Sequence, residues 1–288
     1  MIATEFDYKV PKSLDDAVAL LAADPDGSKI LAGGHSLIPA MKLRLAQPQL
    51  LIDIARIKEL SYIREAGDQI LIGATTTHYE LESSDLLKQI CPLLPACAAS
   101  IGDVQVRNKG TIGGSIAHSD PAGDWPAATL ALKAQLVLVG PNGERTVNAD
   151  DFFIDLMTTD LQPGEILREI QIAKPAGKFG QAYQKVPHPA SGFAVVGIAI
   201  NLTLKADGSC ETASIGVTGV GAKAYRPKAT EAALVNSVLD ETALANAASH
   251  VCDGVDPNTD LYASGDYRCH LAQVHTRRAI NSAKSNVR

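Results

Sequence analysis

Two glycine pairs carry the residue types best able to bind a charged ligand. The first follows a short apolar run in Lys29-Ile30-Leu31-Ala32-Gly33-Gly34-His35-Ser36-Leu37-Ile38-Pro39, and the second lies in Thr111-Ile112-Gly113-Gly114-Ser115. Without side chains at Gly33 and Gly34 the backbone can turn sharply and approach another group closely. Backbone N–H groups converging in such a turn form an anion-binding concavity, and His35 and Ser36 add an imidazole and a hydroxyl beside it, which suits a diphosphate. Thr111 and Ser115 flank the second pair in the same way, and two such loops suit a dinucleotide. A Gly-Gly pair after a strand also serves as a plain turn. Neither stretch is a G-x-G-x-x-G or a G-x-x-x-x-G-K-[ST] motif.

Other chemistry-bearing patterns are sparse. His118 to Pro126 is a polar, irregular segment in which Asp120 and Asp124 can serve as turn and N-cap residues or face a ligand. The seven histidines form no H-E-x-x-H or Cys/His cluster, so His35 is expected to be a loop donor rather than a metal ligand. Five scattered cysteines argue against a disulfide framework and for reduced thiols. Cys91 and Cys97, with Pro92 and Pro95 between them, fit no common zinc or iron–sulfur spacing.

The elements that must position these residues are legible from periodicity. Ser13-Leu14-Asp15-Asp16 opens a helix with an apolar face at Ala17, Val18, Leu20 and Leu21, ending near Asp24-Pro25-Asp26-Gly27. Ile30 to Ala32 reads as a short buried strand, Leu50 to Ile54 as a second and Tyr8 to Val10 as a third, alternating with helices. Gln69 to Gly73 is a strand, Thr75 to His78 leads into a helix, and Ala96 to Ile101 suits a helix packed beneath a cofactor loop. Leu136 to Val139 and Arg145 to Val147 flank a Pro141-Asn142-Gly143 turn as a hairpin. Leu167 to Ile172 is a further strand. The character changes at Lys174 to Gly177, where a domain boundary is expected. Long strands at Phe193 to Leu204 and Cys210 to Val220 follow, then helices, and strands first with helices after read as α+β.

Composition bounds the function class. The chain has 288 residues, 46% of them hydrophobic and 20% charged, enough for two domains with real cores. With 26 Lys and Arg against 32 Asp and Glu, the formal charge of -6 gives no reason to expect nucleic acid or an anionic membrane as partner. No secretory signal and no membrane-length apolar run is visible, so a cytoplasmic protein is expected.

Taken together, Ala32 to Pro39, the run Met41-Lys42-Leu43-Arg44-Leu45-Ala46-Gln47-Pro48 and Val106 to Ser115 resemble the FAD-binding medium subunits of the molybdenum hydroxylases, the family of carbon monoxide dehydrogenase and xanthine dehydrogenase. The resemblance spans the chain. It implies a FAD domain of the vanillyl-alcohol oxidase type over 1–176, with α/β subdomains 1–57 and 58–176, and a C-terminal domain over 177–288 with a three-stranded antiparallel sheet and helices. It implies non-covalent FAD, with Ile30, Leu31, Ala32, Gly33, Gly34, His35, Ser36 and Leu37, together with Thr111, Gly113, Gly114 and Ser115, along its phosphates and ribityl chain. Thr76 and His78 fall where relatives also approach the cofactor. Ile101, Asp124, Leu167 and Lys185 match other cofactor-touching positions, and Phe193 matches an aromatic residue beside the isoalloxazine ring.

The same resemblance implies no catalytic residue and no metal in this chain. Molybdopterin and [2Fe-2S] clusters are expected in a large and a small partner subunit, arranged as a dimer of heterotrimers. Electrons would run from molybdenum through the clusters to FAD and on to an external acceptor. The alternative is a stand-alone FAD-dependent oxidase of the same fold. Carbon monoxide enzymes tend to carry a basic run before the flavin aromatic; here the run is Val186-Pro187-His188-Pro189-Ala190-Ser191-Gly192, which weakens carbon monoxide as the substrate.

Overall fold

A computed structural model describes residues 2–288. The first unit alternates β1 (Asp7–Lys9), α1 (Leu14–Ala23), β2 (Ser28–Leu31), α2 (Leu37–Lys42) and β3 (Leu50–Asp53), and its strands pair in parallel in the order β1-β3-β2. Each return between parallel strands needs a crossover, which α1 and α2 with their loops supply. Ser13 caps α1 by accepting from the Asp16 N–H, and the helix buries Leu14, Ala17, Val18 and Leu21 against Ile52, Ile54, Ile57 and Leu60. β2 departs from expectation. Its Ile30 and Leu31 are only half-buried, because they face a groove rather than the core.

The middle unit comprises β4 (Ile63–Ala66), β5 (Gln69–Gly73), α3 (His78–Ser83), α4 (Asp85–Ile90), α5 (Leu93–Ala99), α6 (Val104–Arg107), α7 (Ile112–His118), α8 (Asp124–Ala131), β6 (Gln135–Gly140), β7 (Gly143–Asn148), α9 (Ala149–Phe152), β8 (Phe153–Asp155), β9 (Thr158–Thr159) and β10 (Ile166–Ala173). Its main sheet is antiparallel, ordered β4-β5-β10-β6-β7, and the expected 136–147 hairpin is its edge. The second glycine pair is not a loop. It forms the first turn of α7, capped by Thr111. α5 packs on α3 and α8, and Ile101 and Gly102 beyond its end reach the groove.

The last unit is an antiparallel sheet β11 (Lys178–Pro187), β12 (Ala194–Leu204) and β13 (Cys210–Thr218) in that order, followed by α10 (Lys228–Leu234), α11 (Glu241–Ser249) and α12 (Gly265–Ser285). Two strand glycines let helices lie directly on the sheet. A Cβ on Gly180 would come within 2.8 Å of the Ala283 carbonyl carbon in α12, and one on Gly216 within 2.9 Å of Ala127 Cα in α8. α8, buried along its whole length, is thereby clamped between the middle unit and this sheet. No helix among the described residues is long and apolar enough to cross a membrane.

The cysteines correct one expectation. Cys252 and Cys269 are joined as a disulfide, while Cys91, Cys97 and Cys210 are free and buried. The two lie 17 positions apart in sequence, yet the chain turning back into α12 brings their Cα atoms to 6.0 Å.

Candidate cofactor site

A groove of about 740 Å³ runs between the loop after β2, the first turns of α7, the segment leading into β10 and the turn before β12. Its volume lies within the range of small-molecule sites, about 300–1,000 Å³. Ile30 to Leu37, His78, Ile101, Thr111, Gly113, Gly114, Ser115, Asp124, Leu167 and Phe193 all line it. Residues scattered over more than half the sequence are thus brought to one wall system.

The two glycine pairs do different work. At the first, Gly34 has φ +74°, a conformation that favours glycine. Gly33 presses on the backbone of Lys109 and Gly110, and a Cβ there would lie 2.7 Å from Gly110 Cα. Among the described residues no acceptor meets the backbone N–H groups of Gly33, Gly34, His35, Ser36 and Leu37, although the Gly34 and Ser36 carbonyls accept from Ile38 and Ala40. Consecutive unpaired N–H groups at the edge of a groove are donors for an anion. The His35 Nδ1–H donates to the Gly33 carbonyl at 2.9 Å, closing the loop on itself. No group of acidic, His and Cys side chains among the described residues could hold a metal ion.

At the second pair the N–H groups are already spent, which corrects the expectation of a second N–H cradle. Ile112 donates to the Thr76 carbonyl, Gly113 to that of Ala74, Gly114 to Thr111 Oγ1 and Ser115 to the Thr111 carbonyl. What the pair contributes is space. Gly113 packs on Ala74, and Gly114 stays exposed: beyond its own cap oxygen, the nearest atom to a Cβ there is Ala32 Cβ, 3.9 Å away across the groove.

Behind the wall lies a fixed polar layer. His78 is buried, its backbone N–H donating to the Gly110 carbonyl at 3.0 Å, and the Trp125 indole N–H donates to His78 Nδ1 at 3.0 Å. Burial pushes the His78 pKa down to about 4, with further lowering by the charges of His35 and Arg107. The ring is therefore neutral, with its proton on Nε2. Asp124, the first residue of α8, accepts from Lys185 Nζ at 2.8 Å through one oxygen and from the Tyr183 hydroxyl through the other. Burial raises the Asp124 pKa while Lys185 and Tyr183 pull it back. The Lys185 ammonium also donates to the Ser100 carbonyl at 2.8 Å, tying β11 to the end of α5.

Two of the expected cofactor residues do not reach the groove wall. Thr76 is turned away, its hydroxyl bonded to the backbone N–H and carbonyl of Tyr62, each at 3.1 Å. Lys185 stands one layer back, spent on Asp124 and Ser100. Phe193, in contrast, precedes β12 rather than starting its buried run, and lies 45% exposed at the rim. Tyr183 and Trp125 went unnoticed in the sequence. Tyr183 was recoverable, since it lies two residues from Lys185 on the same face of β11.

The residues fit a dinucleotide: free donors for a diphosphate, bare backbone for close approach, and mostly apolar walls at Ile101, Leu167 and Phe193 for a flat ring. Residues 4–175 match the family described as the FAD binding domain in molybdopterin dehydrogenase, and residues 181–283 match the CO dehydrogenase flavoprotein C-terminal domain. The chain is 41% identical to the carbon monoxide dehydrogenase medium chain of Hydrogenophaga pseudoflava, covering 98% of each. It is 35% identical to the 6-hydroxypseudooxynicotine dehydrogenase complex subunit alpha of Paenarthrobacter nicotinovorans, covering 98% of this chain and 96% of that one. The solved structure of carbon monoxide dehydrogenase from Hydrogenophaga pseudoflava, in a form lacking the Mo-pyranopterin moiety of its molybdenum cofactor, superposes with a TM-score of 0.97 at 43% identity over all of both chains. With the free N–H array and the groove already in place, these matches show that the chain belongs to the family of FAD-binding medium subunits of the molybdopterin dehydrogenases.

Proposed function

We propose that this chain is the electron-transfer subunit of a molybdenum hydroxylase, receiving electrons from molybdenum and [2Fe-2S] centres held in a large and a small partner subunit and passing them to an external acceptor. The assembly is a dimer of such heterotrimers working in the cytoplasm. The chain is divided into a FAD domain over 1–176, with subdomains 1–57 and 58–176, and a C-terminal domain over 177–288. FAD, when bound, supplies the redox chemistry by taking electrons singly and releasing them in pairs.

The protein's part is to bind and orient. The unpaired N–H groups of Gly33 to Leu37 hold the diphosphate, and Gly114 leaves room for the chain beside it. The Lys185–Asp124–Tyr183 layer fixes the wall behind Asp124, and the backbone N–H of His78, donating to the Gly110 carbonyl, keeps the 110–111 backbone in place. The observation that carries the proposal is the free N–H array opening onto a groove lined by both glycine pairs. Substrate choice then rests with the partners. Relatives of this chain serve enzymes named for chemically unrelated substrates, and the 186–192 run lacks the basic residues expected beside carbon monoxide chemistry.

The test is a visible spectrum and metal analysis of the protein purified with whatever accompanies it, followed by acid release of the cofactor. Non-covalent FAD together with iron and molybdenum in co-purifying subunits is the expected result. FAD without metals, and turnover of a small substrate by the chain alone, would replace the relay with a self-sufficient oxidase.

A further inference from the structure

Phe193, at the rim of the groove, sits on a turn whose brace meets an aromatic ring outside the groove. Residues 188–193 close on themselves: the His188 N–H donates to the Phe193 carbonyl at 2.7 Å and the Gly192 N–H to the His188 carbonyl at 2.9 Å. His188 Nδ1 accepts from the N–H groups of Ala190 and Ser191 at 3.2 and 3.4 Å, so the imidazole is the internal brace of the turn. Gly192, at φ +71°, brings the tip against Gly102, whose Cα would lie 3.5 Å from a Cβ at that position. Gly102, Gly192 and Phe193 all line the groove.

The outer face of the His188 ring meets Tyr262, with ring centroids 4.5 Å apart and planes inclined at 56°. Tyr262 belongs to an irregular segment that is nonetheless strapped down. Asn258 donates from its backbone to the Val220 carbonyl and from its side chain to that of Gly221, both at 2.7 Å. Asp260 accepts from the N–H groups of Tyr262 and Ala263. It is held in turn by the buried Arg268, which also donates to the carbonyls of Val195 and Gly219 at 2.7 Å. The Cys252–Cys269 bridge anchors the segment's approach to α12. A stiff platform thus presents one half-exposed ring to the brace of a light turn. The Tyr262 ring lies outside the groove, and its hydroxyl bonds to nothing among the described residues.

We propose that Tyr262 and His188 form an aromatic latch, a pair of positioning residues that fixes the 188–193 turn and so sets how far Phe193 shields the bound flavin from small acceptors. The proposal rests on the assignment of FAD to the groove. Aromatic pairs of this spacing favour tilted geometries, and removing one ring frees the other.

The test uses the full chain loaded with FAD, reading cofactor stoichiometry and the quenching of flavin fluorescence by iodide, a small solute probe. Tyr262→Ala and Tyr262→Leu should keep FAD at wild-type stoichiometry but raise the quenching constant several-fold, as Phe193→Ala does. Tyr262→Phe, which keeps the ring, should behave as wild type. The double variant Tyr262→Ala/Phe193→Ala should add nothing to Phe193→Ala alone, because both act through one shield. Unchanged quenching in both Tyr262 variants while Phe193→Ala responds overturns the latch and leaves the cofactor assignment standing. Loss of FAD in the Tyr262 variants also overturns it, since the platform would then support binding itself. No response to Phe193→Ala overturns the proposal at its base, and wild-type protein that takes up no FAD defeats the cofactor assignment instead.

Discussion

At the scale of single residues, His78 has no room for a second proton. Its Nδ1 accepts from Trp125, the ring is buried near the charges of His35 and Arg107, and Gly110 lies so close that a Cβ there would stand 2.6 Å from Nε2. With its pKa lowered from 6.5 in the unfolded chain to about 4 by burial, the unfolded state binds more protons between those values. Stability that is fully present above pH 6.5 is therefore lost as the pH falls towards 4, by an amount on the order of 3 kcal/mol. His78→Gln, which keeps an acceptor for the indole and does not titrate, should be less stable at pH 7.5 but show a flatter acid limb in denaturant titrations at pH 7.5, 5.5 and 4.5. Parallel limbs for the two proteins would show that the proton demand lies elsewhere. The same residue shows what the sequence hides. The resemblance puts Thr76 and His78 near the cofactor, yet nothing in the sequence reveals that the partner of His78 is Trp125, 47 positions away.

Among the elements, α8 shows how packing decides a site. It carries Asp124 and Trp125, and it can lie against β13 only because Gly216 has no side chain. A Cβ at 216 would press on the Ala127 backbone, which cannot swing aside as a side chain could. Gly216→Ala should therefore cost about 1–3 kcal/mol, typical of overpacking in a close-packed interior. Because the shift displaces Asp124, FAD should also bind more weakly; a thermal melt beside a FAD titration checks both. A variant that melts like wild type and binds FAD equally well would show that α8 yields freely. Helices and strands were legible where apolar spacing was regular, as at Leu14 to Leu21 and Gln69 to Gly73, and so was the polar approach to α8. The helical character of Gly113 and Gly114 was not, since glycine lowers helix propensity and the bonds from the Ile112 N–H to Thr76 and the Gly113 N–H to Ala74 that hold the turn are tertiary. The Cys252–Cys269 bridge was equally hidden, because spacing alone does not say which loops meet.

For the whole molecule, the groove belongs to no single unit. Leu21 and Ile54 come from the first core, Ile101 and Leu167 pack with the middle one, and Phe193 stands just before the central strand of the last sheet. A ligand bound there touches all three and is absent from the unfolded chain, so it must stabilise the folded state by mass action. At free FAD one hundred times its dissociation constant the gain is about 2.7 kcal/mol, and each further tenfold adds about 1.4 kcal/mol. The apo chain should accordingly melt at a temperature that climbs with the logarithm of FAD concentration. Gly114→Val provides the control, since its side chain would project into the gap towards Ala32. Loss of the Thr111 cap geometry should lower its stability in the absence of FAD by an amount that Thr111→Ala reproduces, about 1 kcal/mol. Its melting temperature should then stay flat across the FAD series. A Gly114→Val chain that FAD stabilises as strongly as wild type would mean that the cofactor does not pass between the two glycine segments, and the assignment of the groove would fall with it.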